Sequence, residues 1–170
     1  MPRLLHRKLI LVVLLASVPG ALAQPRVEHW GQRQAAYDGR FTFVRIRWTR
    51  GSDGTGAARP NNNFWVHEFP GAEQNFTERI RETTRIDANA DGSLNLTLDD
   101  PNVFKFPILF MWEPGYWVMT DSEAGHLRDY LLKGGFLVIH DFEFDQWDNF
   151  NGQLQRVLPG AAVMKIDAPN

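Results

Sequence analysis

Two stretches of this chain are apolar without a break, and several others alternate. Pro107–Trp112 (PILFMW) and Phe136–Ile139 (FLVI) hold no charged or hydrogen-bonding side chain except the Trp112 indole. That is the pattern of central parallel strands covered on both faces. Between them Thr120-x-x-Glu123 forms a capping box. Ala124, Leu127, Tyr130 and Leu131 supply the buried stripe of the helix it starts. Gly134 stands where a left-handed stop belongs, and Gly135 allows a tight turn into the next strand. Strand, amphipathic helix and strand make a βαβ unit, for which a right-handed crossover is expected.

The flanking segments extend the pattern. Phe41–Trp48 (FTFVRIRW) places Val44, Ile46 and Trp48 on one side and Arg45 and Arg47 on the other, predicting a strand with one less buried face. The glycine- and asparagine-rich stretch Gly51–Asn63 reads as a loop. After Trp65–Gly71 comes a helix with Phe76 and Ile80 on its apolar side and Arg79, Arg81 and Arg85 toward its C-terminal half. Leu94, Leu96 and Leu98 alternate in a second strand. Leu154, Val157 and Leu158 mark a third helix, and Ala161–Ile166 reads as a fifth strand. The order predicts an α/β fold: a three-layer α/β/α sandwich on a mostly parallel, flavodoxin-like sheet. The chain stops four residues after the last predicted strand, with no closing helix, as a truncated copy of a longer domain would.

Composition changes the reading first at the N-terminus. Arg3, Arg7 and Lys8 precede the apolar run Leu9–Val18, and Ala21-Leu22-Ala23 offers a small-x-small cleavage site before Gln24. The run is well short of the ~20 residues that span a bilayer, and Pro19-Gly20 breaks it. Residues 1–23 therefore read as a signal peptide, 24–40 as a flexible lead-in and 41–170 as one domain. The expected destination is the periplasm or the exterior, with no membrane span left after cleavage. Without the leader, 15 Lys+Arg stand against 20 Asp+Glu, a net charge of −5. That argues against a nucleic-acid partner. The chain has no cysteine, so it has neither a disulfide to staple it nor a thiol nucleophile.

Candidate chemistry lies in the loops after the strands, where ligands bind in open α/β sheets. His140, Asp141, Glu143 and Asp145 follow the second apolar run. In an extended loop the three acids would project together, a set able to hold Ca²⁺ or Mg²⁺ by oxygen, or Zn²⁺ or Mn²⁺ with the histidine. The competing reading is a solvated acidic loop in which Asp141 caps a helix or pairs with an arginine. Glu113 follows the first apolar run. It would face Asp141 across neighbouring strands, and two close carboxylates can split their pKa values into an acid and a base. His140, Asp141 and Glu113 are thus the candidate catalytic groups. His67, Glu73 and Asn75 sit around the start of the first helix and complete a candidate ligand-binding set with Glu113, His140 and Asp141. Trp65, Trp112, Trp117 and Trp147 would suit sugar rings or a protein partner if exposed, and otherwise anchor loops. Ser52, Ser93 and Ser122 are the serines after cleavage, and none stands at a nucleophile elbow.

Four segments together resemble a known family: FTFVRIRW (41–48), FPGAEQNF (69–76), FPILFMWEPG (106–115) and LRDYLLKGGFLVIHDF (127–142). In order and spacing they are similar to the bacterial family called domain of unknown function 4159. More broadly, the helix–Gly-Gly–strand–His arrangement resembles class I glutamine amidotransferase-like and trehalose-utilisation-like domains. The resemblance implies a flavodoxin-like sheet, an envelope setting and no defined activity. Amidotransferases carry a nucleophilic cysteine after a central strand, where this chain has His140-Asp141, so their catalysis does not transfer. The expected function is a non-catalytic exported domain that binds an envelope protein, small molecule or carbohydrate. The alternative is a metal- or carboxylate-dependent hydrolase acting on a carbohydrate or envelope polymer. A fragment without independent function is the third reading. Beyond a divalent metal, no cofactor is expected.

Overall fold

A computed structural model describes residues 33–34, 36–51, 58–59, 64–141 and 143–164. The predicted leader, most of the lead-in and residues 165–170 lie outside the described residues. The strands are β1 (Arg33–Gln34), β2 (Val44–Ile46), β3 (Thr49–Gly51), β4 (Ala58–Arg59), β5 (Gly92–Leu96), β6 (Ile108–Trp112), β7 (Trp117–Val118) and β8 (Phe136–His140). The helices are α1 (Gly71–Thr83), α2 (Asp121–Leu132) and α3 (Trp147–Val157). The main sheet runs β1-β5-β2-β6-β8, with every pairing parallel. A second, antiparallel sheet runs β4-β3-β7.

Strand periodicity explains the layers. Along β2 and β6, Val44, Ile46, Leu109 and Met111 point to one core, which also holds Leu127 and Tyr130 of α2 and Phe150 and Val157 of α3. Phe43, Phe110 and Trp112 point the other way, into a second core that includes Ala72 of α1. The two cores on opposite faces make the three-layer sandwich, and the fold is flavodoxin-like. In the order β5-β2-β6-β8 the first strand of the set lies between the second and third. The connections therefore diverge to opposite faces at β2 and β6, which is the switch point where doubly wound sheets bind ligands.

Local signals are realised closely. Thr120 accepts from the Glu123 amide, and the Glu123 carboxylate accepts from the Thr120 amide, completing the capping box. Gly134 has φ of +94°. At Gly135 a Cβ would come within 2.3 Å of the Tyr130 ring, so only glycine lets α2 close onto β8.

Several expectations need correction. Alternation predicts a less buried face for Arg45, yet it is fully buried, because β2 lies between β5 and β6 with helices over both faces. Phe136–Ile139 was expected to be covered on both faces as a central strand. Instead β8 pairs only with β6 among the described residues, and Phe136 is 63% exposed. Of the small antiparallel sheet, β4 lies inside the stretch read as the Gly51–Asn63 loop, and β1 lies within the segment read as a flexible lead-in. Residues 161–164 are irregular, and the rest of the predicted fifth strand lies outside the described residues.

Tyr130 gives the first test. Its hydroxyl donates to the Phe106 carbonyl at 3.0 Å, and burial pushes the phenol up to about 12. A raised folded pKa means that the neutral form is favoured by folding. That stabilisation is complete below pH 10 and is lost as pH rises through 12. Urea unfolding of wild type and Tyr130→Phe should therefore converge by about 2 kcal/mol between pH 9 and pH 12. A gap that stays constant over that range would contradict the assignment.

Candidate functional site

Three segments meet at the carboxyl edge of the sheet. The first is the turn at residues 67–70, between a short 3₁₀ turn (Phe64–Val66) and α1. The other two follow β6 and β8. Their register pairs Trp112 with His140, and the Glu113 amide donates to the His140 carbonyl at 2.9 Å. Glu113 and Asp141 therefore leave the sheet side by side. His67 Nδ1 lies 2.6 Å from Glu113 Oε1 and 3.4 Å from Asp141 Oδ2. Glu113 has 23% of its side chain exposed, against 48% for Asp141 and 50% for His67.

The backbone around this trio is unusual. Among the described residues, the non-glycine positions with left-handed φ are Glu68 (59°), Glu113 (46°) and Asp141 (61°). Each departure from ordinary backbone costs on the order of 1 kcal/mol or more, and such positions collect at functional sites. Here one adjoins His67, and the other two belong to the carboxylates that meet it.

A buried charge pair fixes the turn from below. Arg45 Nε donates to Glu73 Oε1 at 2.5 Å, and Arg45 Nη1 donates to the carbonyls of Trp65 and His67, both at 2.9 Å. The guanidinium carbon lies 4.0 Å from the Trp112 ring centroid. The Trp112 indole N–H in turn donates to Glu68 Oε2 at 3.1 Å. A single arginine thus joins the central strand, α1 and the backbone carrying His67, and it rests on the residue before Glu113.

Beside the trio lies a pocket of about 120 Å³ lined by Phe64, Glu113, Tyr116, Asp141, Glu143 and Gln146. That is room for a few waters or a small oxyanion. The rings of Phe64 and Tyr116 hold the Arg50 guanidinium between them, 4.4 and 4.9 Å from their centroids.

The candidate residues divide clearly. His67, Glu113 and Asp141 come together, and among the described residues they are the one group of three with metal-ligating atoms all within 4.8 Å. His140, Glu143 and Asp145 do not join that group. The His140 ring lies 5.5 Å from that of Trp112, and Asp145 sits exposed in the 3₁₀ turn before α3. Glu143 reaches the pocket wall only. Glu73 is buried against Arg45 and supports the site rather than facing a ligand. Asn75 is exposed on α1, outside the group. Trp112 and Trp117 are buried, so they are anchors and not platforms, while Trp65 and Trp147 are half-buried. Ser122 Oγ donates to Asp99 Oδ1, and His126 Nδ1 lies 3.3 Å from that same oxygen. With aspartate in the middle, this is not the serine–histidine–aspartate order of a nucleophilic triad. Tyr116 lies in the Glu113–Trp117 loop expected to border a cleft, whereas Arg45, Phe64 and Gln146 carry no site signal of that kind. The one signal for Arg45 was a charge in an otherwise apolar strand.

Residues 54–169 match the family model described as Domain of unknown function (DUF4159). The chain belongs to that family. No curated protein matches it. The match covers both strand-end loops, the His67 turn and the pocket walls, while the supporting Arg45 and Arg50 fall before its start. Among the described residues, no helix of this DUF4159 protein is long and apolar enough to cross a membrane.

Proposed function

We propose that this DUF4159 protein is an exported, non-catalytic binding domain of the bacterial cell envelope. Its ligand, a small molecule, a carbohydrate or a segment of an envelope protein, would sit at the carboxyl edge of the sheet. The observation that carries the reading is the convergence of His67, Glu113 and Asp141 from three segments beside the Phe64–Tyr116 pocket. Such a position is where open α/β sheets take ligands. The strand order and the helix–Gly-Gly–strand–His sequence support a finer kinship with glutamine amidotransferase-like domains. The chain has no cysteine to serve as their nucleophile, which favours binding over acyl transfer. Export rests on the Arg3–Ala23 leader pattern.

The test uses the full chain expressed with its leader in a bacterium. The expected product begins at Gln24 and is released with the periplasmic or extracellular fraction. Thermal unfolding with a panel of envelope sugars, short peptides and organic acids should reveal compounds that raise Tm, since binding to the folded state alone stabilises it. Tyr116→Ala should remove the effect. Cytoplasmic protein that retains Met1 would refute export, and a panel without any Tyr116-dependent binder would refute the pocket.

One observation favours the second reading, a metal- or carboxylate-dependent hydrolase acting on a carbohydrate or envelope polymer. The 2.6 Å contact between His67 Nδ1 and Glu113 is the kind of imidazole–carboxylate pairing that general-base catalysis uses. Turnover in the same panel, lost in His67→Ala, would replace the binding reading with this one.

A further inference from the structure

We propose that His67, Glu113 and Asp141 form a divalent-cation site suited to Zn²⁺ or Mn²⁺, with its remaining coordination positions open toward the Phe64–Tyr116 pocket. The inference deepens the carboxyl-edge reading above and rests on it.

The donor set comes first. One imidazole nitrogen and two carboxylate oxygens lie within 4.8 Å of one another. They come from separate segments of chain, so no single acidic loop produces the arrangement by its composition. Three protein ligands with a further position left open is the pattern of catalytic zinc centres. Imidazole nitrogen beside carboxylate favours Zn²⁺ or Mn²⁺ over Ca²⁺ and Mg²⁺, which prefer all-oxygen sites. Ligands about 2.1 Å from an ion stand roughly 3.4 Å apart in a tetrahedral set. The His67–Asp141 separation of 3.4 Å already has that value, and the His67–Glu113 separation of 2.6 Å would open by less than 1 Å.

The alternative is an ordinary surface ion pair, and the magnitudes weigh against it. With half of the His67 and Asp141 side chains exposed, the pair contributes about 0–1 kcal/mol. The apparatus that holds it is far more costly. It comprises a fully buried arginine–glutamate pair and three left-handed non-glycine residues. Two deeply buried atoms of that support, Arg45 Nη2 and Glu73 Oε2, make no hydrogen bond among the described residues, although the two groups pair through their other atoms. Such expenditure fits a requirement to hold ligating atoms in place, as the outer hydrogen-bonding shell does at metal centres. The pocket adjoins the ion pair. It is walled by two of the three proposed ligands, so a cation between them is reachable by a water or by an oxygen atom of a bound ligand.

Calorimetry of the metal-free protein with Zn²⁺, Mn²⁺, Mg²⁺ and Ca²⁺ tests the proposal. One equivalent of Zn²⁺ or Mn²⁺ should bind, with Mg²⁺ and Ca²⁺ much weaker. His67→Ala and Asp141→Ala should each weaken binding about ten-fold or more. Asp145→Asn, in the same loop but outside the trio, should leave it unchanged. The His67 and Asp141 side chains are about half exposed, so these two variants should unfold as cooperatively as wild type, and urea melts check this. No heat with any of the four ions overturns the proposal, as does equal affinity in wild type and His67→Ala. These measurements use metal alone. Cation binding with no compound in the pocket would refute only the ligand reading, and Tyr116-dependent compounds without cation binding would refute only this one.

Discussion

Glu73→Ala should unfold with a free energy about 3–5 kcal/mol below wild type. The loss is expected because Glu73 and Arg45 are almost fully buried against one another. Removing the carboxylate leaves a guanidinium in the interior with no counter-charge, and arginine does not shed its proton to relieve the strain. The carbonyls of Trp65 and His67 can hold two of its donors but cannot neutralise it. Urea denaturation of both proteins measures the difference. Replacing both partners with apolar residues, as in Arg45→Met with Glu73→Met, should recover most of the stability, since a buried pair often does no better than hydrophobic residues of similar volume. The double variant separates support from stability. It restores folding but frees the His67 carbonyl, so cation affinity should fall below that of wild type. A single-variant loss below about 1 kcal/mol would mean that water reaches Arg45, contrary to its complete burial.

The second large effect is expected at Trp117. Trp117→Ala should cost about 3–5 kcal/mol, whereas Trp117→Phe should cost about 1 kcal/mol. The ring is buried in β7 and stacks on Phe150 of α3, with centroids 6.1 Å apart. Its carbonyl accepts from Asn149 Nδ2 at 3.0 Å. It therefore ties the small sheet to α3 by a ring contact and a hydrogen bond. Its indole N–H has no partner among the described residues, so phenylalanine keeps the packing and removes a buried donor that brings no hydrogen bond. Urea melts of the two variants give the comparison. Equal losses would show that the indole N–H matters after all.

The contrast between these residues and the loop acids shows what a sequence reveals. The Thr120 capping box and Gly134 were legible because their partners lie within a few positions and obey fixed backbone geometry. Glu113 and Asp141 were legible as site candidates because each ends an apolar run, and sheets put such residues on one edge. Arg45 was misplaced for the opposite reason. Alternation records polarity, and here the polar face is buried by a partner 28 residues away in another element. The same distance turned Glu73 from a ligand candidate into a support. The apolar run of β8 gave no sign of its place at the margin of the described sheet, because an edge strand over a helix and a covered central strand can be equally apolar. His67 was found as a candidate. Its meeting with Glu113 depends on the Arg45 tether, which no local pattern announces.

That tether has a kinetic consequence. Arg45 donates to the carbonyls of Trp65 and His67 from inside the sheet, so the turn carrying His67 cannot swing out without uncovering a buried charge. It therefore does not act as a lid. A cation or ligand would arrive through an opening that already exists, and its association rate would follow diffusion and charge rather than a gating step. Slow exchange at this site would reflect the strength of the bound state, not the time needed to open a door.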